Sequence, residues 1–239
     1  MRRRVSTGCS SLDRLLGGGL PSDVVSLVYG EAETGKSSLA IQCSVNCARA
    51  GFKSIFIDSD GTFSSTRLSQ IAYRDQERIS PRIILIKPNT FQEQIHTIDH
   101  LERYITRSVG LLVVDTITSL YRATLGEPKR TFALNRELNR QMAYLAEIAT
   151  NHELSTLITG QVRSVLFTDQ HNVEPVARRV LKFWSDIVVN LKLTGQPQVV
   201  RVKLEKHPTR KTHESCYLSI ERTGIRDYDQ TSCNQDLSE

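Results

Sequence analysis

Residues 24–39 read VVSLVYGEAETGKSSL. An apolar run of β-type residues ends at Gly30, four residues follow, and Gly35, Lys36 and Ser37 open a stretch with helical character. The spacing matches the phosphate-binding loop G-x-x-x-x-G-K-[ST], in the strand-then-helix context that such a loop requires. The alternative, a chance glycine turn before an unrelated helix, is disfavoured by flanks this regular. The stretch therefore predicts an α/β fold with a nucleotide-binding loop.

This loop predicts a site for the phosphates of a nucleotide and for Mg²⁺. The two glycines let the main chain turn back on itself, so that the amides of residues 31–37 point at phosphate oxygens. The helix start adds its positive dipole end, Lys36 reaches the β- and γ-phosphates, and the Ser37 hydroxyl is a ligand for Mg²⁺. The predicted nucleotide-binding residues are Gly30, Glu31, Ala32, Glu33, Thr34, Gly35, Lys36, Ser37 and Ser38.

The length and composition of the chain restrict the number of domains and the class of protein. A chain of 239 residues with 39% hydrophobic residues favours one α/β core. We expect a short lead-in at residues 1–20, a core at 21–226 and a polar tail at 227–239. Without an apolar signal segment or membrane span, we expect a cytoplasmic protein. The five cysteines show no metal-ligand spacing and are predicted to be small core residues.

Two further strands end in carboxylates. Residues 54–58 (SIFID) lead into Ser59-Asp60-Gly61, on a strand that we place beside the phosphate-loop strand, where Asp60 could orient a water for attack on the γ-phosphate. The alternative for Asp60 is a turn-forming role before Gly61, and the local sequence does not separate the two. Residues 110–115 (GLLVVD) have the Walker B form, in which Asp115 holds Mg²⁺ through a bound water.

A neutral amide, Gln161, follows another predicted strand at residues 154–159. It can hydrogen-bond a γ-phosphate without adding charge, and so can report whether that phosphate is present.

Two segments combine basic residues with weak periodicity. Residues 122–131 are predicted to form a flexible basic loop that carries Arg122, Lys129 and Arg130. Residues 163–179 are predicted to be irregular, with an aromatic residue between arginines, which suits single-stranded nucleic acid. A merely solvated loop is the alternative for this second segment. Its candidate residues are Arg163, Phe167, Arg178 and Arg179. The net charge of +5 and pI of about 9.0 are compatible with nucleic acid but do not demand it.

The last third of the chain predicts antiparallel structure. Residues 186–193 and 198–205 alternate and are joined by TGQP, a hairpin signal, and residues 215–221 form one more strand. Between the last two strands lies the basic run KHPTRK at residues 206–211.

Six motifs follow one another along the chain in this order: TGCSSLDRLLGGG, YGEAETGKSS, FIDSDGTFSSTRL, LLVVDTITSLYR, ITGQV and LEKHPTRK. Together they resemble the core of the RecA/RadA recombinase family, and most closely its archaeal RadB branch, paralogues made of the ATPase core alone. The likeness spans about residues 6–227. It implies a RecA-like P-loop NTPase fold, with a mostly parallel sheet flanked by helices and an antiparallel C-terminal extension.

The resemblance also assigns roles. It makes Gln161 the γ-phosphate switch that leads into the second DNA-binding loop, and residues 122–131 the first such loop. Asp60 falls where these recombinases have their catalytic Glu, and Arg67 where they have an Arg that stacks on adenine. Lys206 and Arg210 fall in a segment that faces the ATP of a neighbouring subunit.

The sequence departs from the family pattern at two points, which affect the expected rate of ATP hydrolysis and the expected oligomeric state. Asp60 is one methylene shorter than Glu, so we expect slow ATP hydrolysis. The chain starts too close to the core for a helix-hairpin-helix domain or a Phe-x-x-Ala linker, so we expect a weak or conditional homo-oligomer. The leading hypothesis is an ATP- and DNA-binding accessory protein of homologous recombination and DNA repair, which acts beside a full-length RadA-type recombinase with little strand exchange of its own. The alternatives are a RecA-fold signalling ATPase of the circadian-clock type and a non-catalytic nucleotide-bound scaffold.

Overall fold

The computed structural model describes residues 3–125, 128–164, 173–175, 177–212 and 214–228. The strands are β1 (Arg4–Val5), β2 (Leu20–Pro21), β3 (Val24–Gly30), β4 (Lys53–Asp58), β5 (Ile83–Ile86), β6 (Val109–Asp115), β7 (Ser155–Ser164), β8 (Val173–Pro175), β9 (Ile187–Leu193), β10 (Val199–Lys206), β11 (Ser215–Glu221) and β12 (Gly224–Asp227). The helices are α1 (Ser10–Leu15), α2 (Lys36–Arg49), α3 (Ser65–Ala72), α4 (Gln76–Ile79), α5 (Phe91–Asp99), α6 (Ser119–Thr124), α7 (Pro128–Asn151) and α8 (Arg178–Trp184). Short 3₁₀ turns lie at Tyr73–Asp75, Ser80–Arg82 and Leu101–Tyr104.

In these residues one large sheet runs in the order β12-β11-β10-β9-β3-β7-β6-β4-β5, with β8 paired to the end of β7. Across the sheet from β9 through β3, β7, β6 and β4 to β5, each strand is parallel to the next. On the other side of β9, the strands β10, β11 and β12 are antiparallel to their neighbours. The predicted mostly parallel sheet with an antiparallel C-terminal extension is therefore confirmed.

The central strands are apolar on both faces because helices cover both. Every residue of β6 is buried, and β3 is buried from Val25 onward. Helices α1, α2 and α3 pack on one face, and α5 and α7 pack on the other. A parallel sheet covered in this way needs continuous apolar strands, as the sequence has them. Cys9, Cys43 and Cys47 are buried free thiols, as predicted for core residues.

Residues 3–21 pack against the core. Leu12 and Leu16 are each 1% exposed, and β1 pairs with β2. The Arg3 guanidinium lies 4.7 Å from the centre of the Phe52 ring and donates to the Glu153 carbonyl at 2.9 Å. This N-terminal arginine is therefore held by main-chain and aromatic contacts of its own chain.

The predicted polar tail starts one residue too early. Asp227 is the last residue of β12, and its carboxylate accepts hydrogen bonds from the amides of Ser10 and Ser11, both at 2.8 Å. Cys9 stands at the N-cap of α1 and its side chain makes no cap hydrogen bond. Asp227 therefore caps a helix from more than two hundred residues away, a contact that sequence proximity cannot predict.

Both predicted basic loops are more regular than expected. Residues 122–131 fall largely in α6 and α7, because buried Tyr121 anchors α6 and Pro128 suits the first turn of a helix. Strand β7 continues past Thr159 to Ser164 because β8 pairs with its end. The segment at 163–179 therefore contains strand residues and the start of α8, and its residues 165–172, with Phe167, lie outside the described residues.

Candidate nucleotide-binding site

The predicted phosphate-binding loop joins β3 to α2 at the carboxyl edge of the parallel strands. Gly35 is the N-cap of α2 with φ +83°, a left-handed conformation in which a side chain is strained. Gly30 has no such φ, but a Cβ there would lie 2.3 Å from the Leu191 carbonyl oxygen. The two glycines therefore serve different needs: Gly35 permits the turn, and Gly30 permits the close approach of β9.

Lys36 extends into the hollow of this loop. Its side chain is largely buried, and its Nζ donates to the Glu31 carbonyl at 2.5 Å and to Thr34 Oγ1 at 3.3 Å. Burial lowers the pKa of Lys36, while the charges of Asp115, Asp60 and Glu31 oppose that shift. A buried ammonium gains stability from an anion beside it, so the loop is electrostatically suited to phosphate.

Oxygen atoms converge beside the loop. The Asp115 carboxylate is fully buried, and it accepts a hydrogen bond from Thr159 Oγ1 and one from Thr62 Oγ1 at 3.1 Å. Thr62 Oγ1 also lies 3.2 Å from Ser37 Oγ. Burial raises the pKa of Asp115, and the hydrogen bonds from Thr159, Ser37 and Thr62 oppose that shift.

These hydroxyl and carboxylate oxygens are the donor type that Mg²⁺ prefers. Across the residues that the structure describes, no group of three or more His, Cys, Asp or Glu side chains is arranged to hold a metal ion. A cation at this place would be held by Ser37 and Asp115, which Thr62 links, directly or through water. The sequence predicts Ser37 and Asp115 as cation ligands, but it carries no signal for Thr62 and Thr159 beyond a hydroxyl near a strand end.

Asp60 reaches the site by a different route from the predicted one. We predicted that its strand, β4, lies beside β3, but β7 and β6 separate the two. The loop after β4 is instead turned inward by Asp58, which is 1% exposed and accepts hydrogen bonds from the amides of Thr62 at 3.0 Å and Phe63 at 3.1 Å. Lys87 Nζ lies 3.4 Å from the same buried carboxylate. Asp58 was not singled out from the sequence, yet it shapes the segment that carries Asp60 and Thr62.

Gln161 links Asp60 to Arg122. In the parallel register of β3 and β7, Gln161 lies directly opposite Gly30. Its amide nitrogen donates to Asp60 Oδ2 at 3.2 Å, and its amide oxygen accepts a hydrogen bond from Arg122. Asp60 in turn accepts a hydrogen bond from the Ser119 hydroxyl. The predicted switch residue is thus on the same edge of the sheet as Lys36.

One cavity of about 590 Å³ collects most of these predicted residues. Its lining includes Gly30, Ala32, Glu33, Gly35, Lys36, Ser37, Ser38, Asp60, Thr62, Arg122 and Gln161. Ile220 of β11 also lines it, so the antiparallel extension contributes an apolar side chain to the cavity, which no local motif predicts.

Arg67 stands next to this cavity without lining it. Its guanidinium donates to Ser38 Oγ at 3.1 Å, to the Arg222 carbonyl at 2.8 Å and to the Glu221 carbonyl at 3.0 Å. Burial lowers the pKa of Arg67. The side chain therefore ties the turn between β11 and β12 to the start of α2, and its stacking on adenine stays a prediction.

The residues predicted to face a neighbouring subunit lie elsewhere. Lys206 Nζ donates to the carbonyls of Ser185 at 2.6 Å and Lys182 at 3.2 Å, and so holds the C-terminal end of α8. The Arg210 guanidinium lies over Gly17, where a Cβ would be 3.0 Å from its Nε. Neither residue lines the cavity of its own chain.

The predicted nucleic-acid residues are only partly described. Arg122 is exposed and lines the cavity, and Arg179 is exposed on α8. Lys129 and Arg130 lie in the first turn of α7, Arg163 in β7 and Arg178 at the start of α8, but their side chains are outside the described set.

Comparison with known proteins identifies the family. The family model for Rad51 matches residues 2–228. The chain belongs to the Rad51 family. Within the Rad51 family it groups with the RadB proteins, and the resemblance drawn from the six motifs is confirmed.

The "DNA repair and recombination protein RadB" of Methanococcoides burtonii is 32% identical over 226 residues, which are 95% of this chain and 99% of that protein. The protein of the same name from Thermococcus gammatolerans is 35% identical, over 93% of this chain and 98% of that one. The solved "Crystal structure of the RadB recombinase" superposes with a TM-score of 0.81 at 33% identity, covering 94% of this chain and 100% of that one. Among the described helices of this Rad51-family chain, none has the length and apolar character needed to cross a membrane.

Proposed function

We propose that the chain is an ATP- and DNA-binding accessory protein of homologous recombination and DNA repair, with slow ATP hydrolysis and little strand exchange of its own. The observation that carries this proposal is the side-chain path from the phosphate-loop cavity through Asp60 and Gln161 to Arg122. A path of this kind can transmit the presence of a terminal phosphate to a basic segment. The names of the RadB relatives, which describe DNA repair and recombination, support the process.

The residues present fit ATP with Mg²⁺. The loop amides and Lys36 bind phosphate oxygens, and the left-handed Gly35 opens the space that they need. Ser37 and Asp115, with Thr62 between them, supply oxygens for the cation. Mg²⁺, when bound, neutralises charge on the phosphate oxygens.

Slow turnover follows from the reach of Asp60. Its role would be to orient the attacking water, but its short side chain is also engaged by Ser119 and Gln161. A misplacement of about 1 Å can cost on the order of a hundredfold in rate. The chain's own groups therefore favour nucleotide binding over rapid hydrolysis.

DNA binding is assigned to the two basic segments at residues 122–131 and 163–179. The partners that we propose are single-stranded or branched DNA and a full-length RadA-type recombinase. Lys206 and Arg210 are proposed to contact the nucleotide of a neighbouring subunit in a weak or conditional oligomer, because neither of them lines the cavity of its own chain.

The test combines ATP turnover with single-strand affinity over a salt series. Lys36→Ala should abolish turnover, and affinity for an oligothymidine should fall steeply as salt rises, since counterion release drives the binding. Arg163→Ala with Arg179→Ala should weaken that affinity further, whereas exposed Gln92→Ala should not. An affinity that is absent or indifferent to salt would contradict the DNA-binding role and favour an ATPase that acts on proteins.

A further inference from the structure

The cavity beside the predicted phosphate loop is bordered by two cationic side chains. Among the described residues that line it, Lys36 and Arg122 carry positive charge, and Glu33 and Asp60 carry negative charge. Lys36 belongs to the loop itself, whereas Arg122 comes from α6 on the other side of the cavity's polar residues. The charges of the lining side chains balance, so a polyphosphate would find a second cation besides the lysine of the loop.

The position of α6 brings Arg122 to the cavity. The strand β6 ends with Asp115 at the carboxyl edge of the sheet, and α6 begins shortly after it at Ser119. Ser119 and Arg122 are three residues apart on one helix, so their side chains lie on the same side of it. The Ser119 hydroxyl donates to Asp60, which also lines the cavity. Buried Tyr121 anchors the helix to the core, and so holds this side of α6 against the cavity.

The Arg122 guanidinium is only lightly engaged by its own chain. It is exposed, and it donates a hydrogen bond to the side-chain oxygen of Gln161, a neutral group. Within the part of the chain that the structure describes, its side chain makes no other hydrogen bond and no ion pair. A guanidinium has five N–H donors, and it pairs about twice as strongly with a phosphate as with a neutral acceptor. A phosphate in the cavity would therefore draw Arg122 away from Gln161.

The contacts of Gln161 connect this guanidinium to the phosphate loop. Gln161 lies opposite Gly30, the first residue of the loop, in the parallel register of β7 and β3. Neighbouring strands are about 4.8 Å apart, so the two residues border one space. The Gln161 amide nitrogen donates to Asp60 Oδ2 at 3.2 Å, and Asp60 lines that same space together with Lys36. A nucleotide whose inner phosphates are held by the loop would extend its outermost phosphate toward these side chains.

We propose that Arg122 binds the terminal phosphate of a nucleoside triphosphate from within the same chain, and that it sets the preference of the cavity for a triphosphate over a diphosphate. This role rests on the proposed function, since it requires a nucleotide in the phosphate loop. A diphosphate is held by the loop amides and Lys36, and it lacks the phosphate that meets Arg122. Arg122 thereby leaves the DNA-binding set of residues 122–131, in which Lys129 and Arg130 lie further along, in the first turn of α7.

A discriminating cation in the same chain acts without a neighbouring subunit. Lys206 and Arg210, which are proposed to contact a neighbour's nucleotide, do not line the cavity of their own chain. The two sources of positive charge therefore differ in their dependence on protein concentration. A contact within one chain gives the same preference at every concentration, whereas a contact from a neighbour appears only as the chains associate.

The test uses calorimetry to measure the dissociation constants of a non-hydrolysable ATP analogue and of ADP, each with Mg²⁺ and without DNA. Low ionic strength keeps the exposed charge from being screened. Arg122→Ala should weaken binding of the analogue about tenfold or more and binding of ADP less than about twofold, because only the third phosphate loses a charged hydrogen bond. Arg122→Lys should fall between these values, since an ammonium keeps the charge but not the planar fork. The matched control is Arg136→Ala, an exposed arginine of α7 that does not line the cavity, and it should leave both constants unchanged.

Two results would overturn the role of Arg122. One is an Arg122→Ala variant in which the ratio of the two dissociation constants stays that of the unaltered protein. The other is a ratio that grows with protein concentration and is abolished by Lys206→Ala with Arg210→Ala, since the discriminating cation would then belong to a neighbour. Because Arg122 is exposed, the melting temperature of the variant should not change; if it falls, Arg122→Gln, which keeps a long polar side chain, provides the same comparison.

Failure of this role and failure of the proposed function give different results. If the unaltered protein binds neither nucleotide, the proposed function fails and the role of Arg122 fails with it. If the protein binds both nucleotides and the ratio does not depend on Arg122, only the role of Arg122 is refuted. In that case a loss of single-strand affinity in Arg122→Ala, measured without nucleotide, would return this residue to the DNA-binding set.

Discussion

Replacing Gln161 by Ala tests whether the cavity at the predicted phosphate loop communicates with the segment that we propose to bind DNA. The substitution deletes the hydrogen bond to Asp60 at 3.2 Å and the one from Arg122, and it leaves the main chain of β7 in place. Both partners are charged and exposed. Hydrogen bonds to charged groups contribute about 1.5–3 kcal/mol each when buried, and solvent screening reduces that value here.

We therefore expect the path to carry about 1–2 kcal/mol of coupling, the usual size of an allosteric free energy. In the unaltered protein, a non-hydrolysable ATP analogue should raise single-strand affinity by roughly 5- to 30-fold, because about 1.4 kcal/mol corresponds to a tenfold change. In Gln161→Ala the analogue should change affinity by less than about twofold. Affinity without nucleotide should stay close to that of the unaltered protein.

The assay is anisotropy of a labelled oligothymidine at fixed salt, with and without the analogue, after calorimetry has shown that the variant still binds the analogue. Gln92→Ala is the control, since this exposed glutamine lies on α5, away from the cavity, and should keep the full response. If Gln161→Ala retained the full increase in affinity, the path through Asp60 and Arg122 would not be the route of coupling, and the main-chain pairing of β7 with β3 would become the better candidate.

Three other predictions test single carboxylates. Asp60→Glu should raise the rate of ATP turnover by roughly tenfold or more, since the added methylene extends the side chain by about 1 Å. A steady-state phosphate-release assay measures this rate. An unchanged rate would show that side-chain length is not the cause of slow hydrolysis. Asp58→Asn should lower the free energy of unfolding by about 2 kcal/mol, because the side-chain amide of Asn cannot accept hydrogen bonds from both the Thr62 and Phe63 amides. Calorimetry should find a melting temperature about 4–8 °C lower. An unaltered melting temperature would show that Asp58 does not organise this loop. For Asp227, burial raises the pKa, but the hydrogen bonds from Ser11 and Ser10 outweigh it and hold the pKa below the usual 3.8. Its stabilising effect is therefore present above about pH 4 and is lost as pH falls through the lowered pKa. The free energy of urea unfolding should then depend less on pH in that acidic range for Asp227→Asn than for the unaltered protein. Identical pH profiles for the two proteins would refute the role of Asp227 as a helix cap.

Much of the candidate site could be predicted because its signals are local. The phosphate loop needs its glycines, Lys36 and Ser37 at one spacing in one strand-to-helix turn, so a short window carries the prediction. The Asp115 and Gln161 predictions used the same logic, a polar residue at the carboxyl end of an apolar strand. Parallel strands bring such ends to one edge of the sheet, and the structure has Asp115 and Gln161 on the edge that holds Lys36.

The predictions that were wrong concerned contacts between distant segments. The position of β4 beside β3 was wrong because strand order depends on which crossovers the helices make, and no window of residues records that choice. Asp227 was assigned to a tail because its partners, Ser10 and Ser11, are at the other end of the chain. The strand β8 was missed because three residues form it only by pairing with β7.

The sequence by itself determined an α/β protein of the RecA/RadA type and predicted its phosphate loop and Walker B carboxylate, since these inferences depend on local spacing and on the apolar pattern of single strands. Only the tertiary structure decided that Gln161 stands between Asp60 and Arg122, that Thr62 joins Ser37 to Asp115, and that Arg122 lines the same cavity as Lys36. The physical reason is that such contacts are fixed by strand order and register. These are set by the packing of the whole core, which buries the apolar faces together and leaves the polar side chains wherever the pairing puts them.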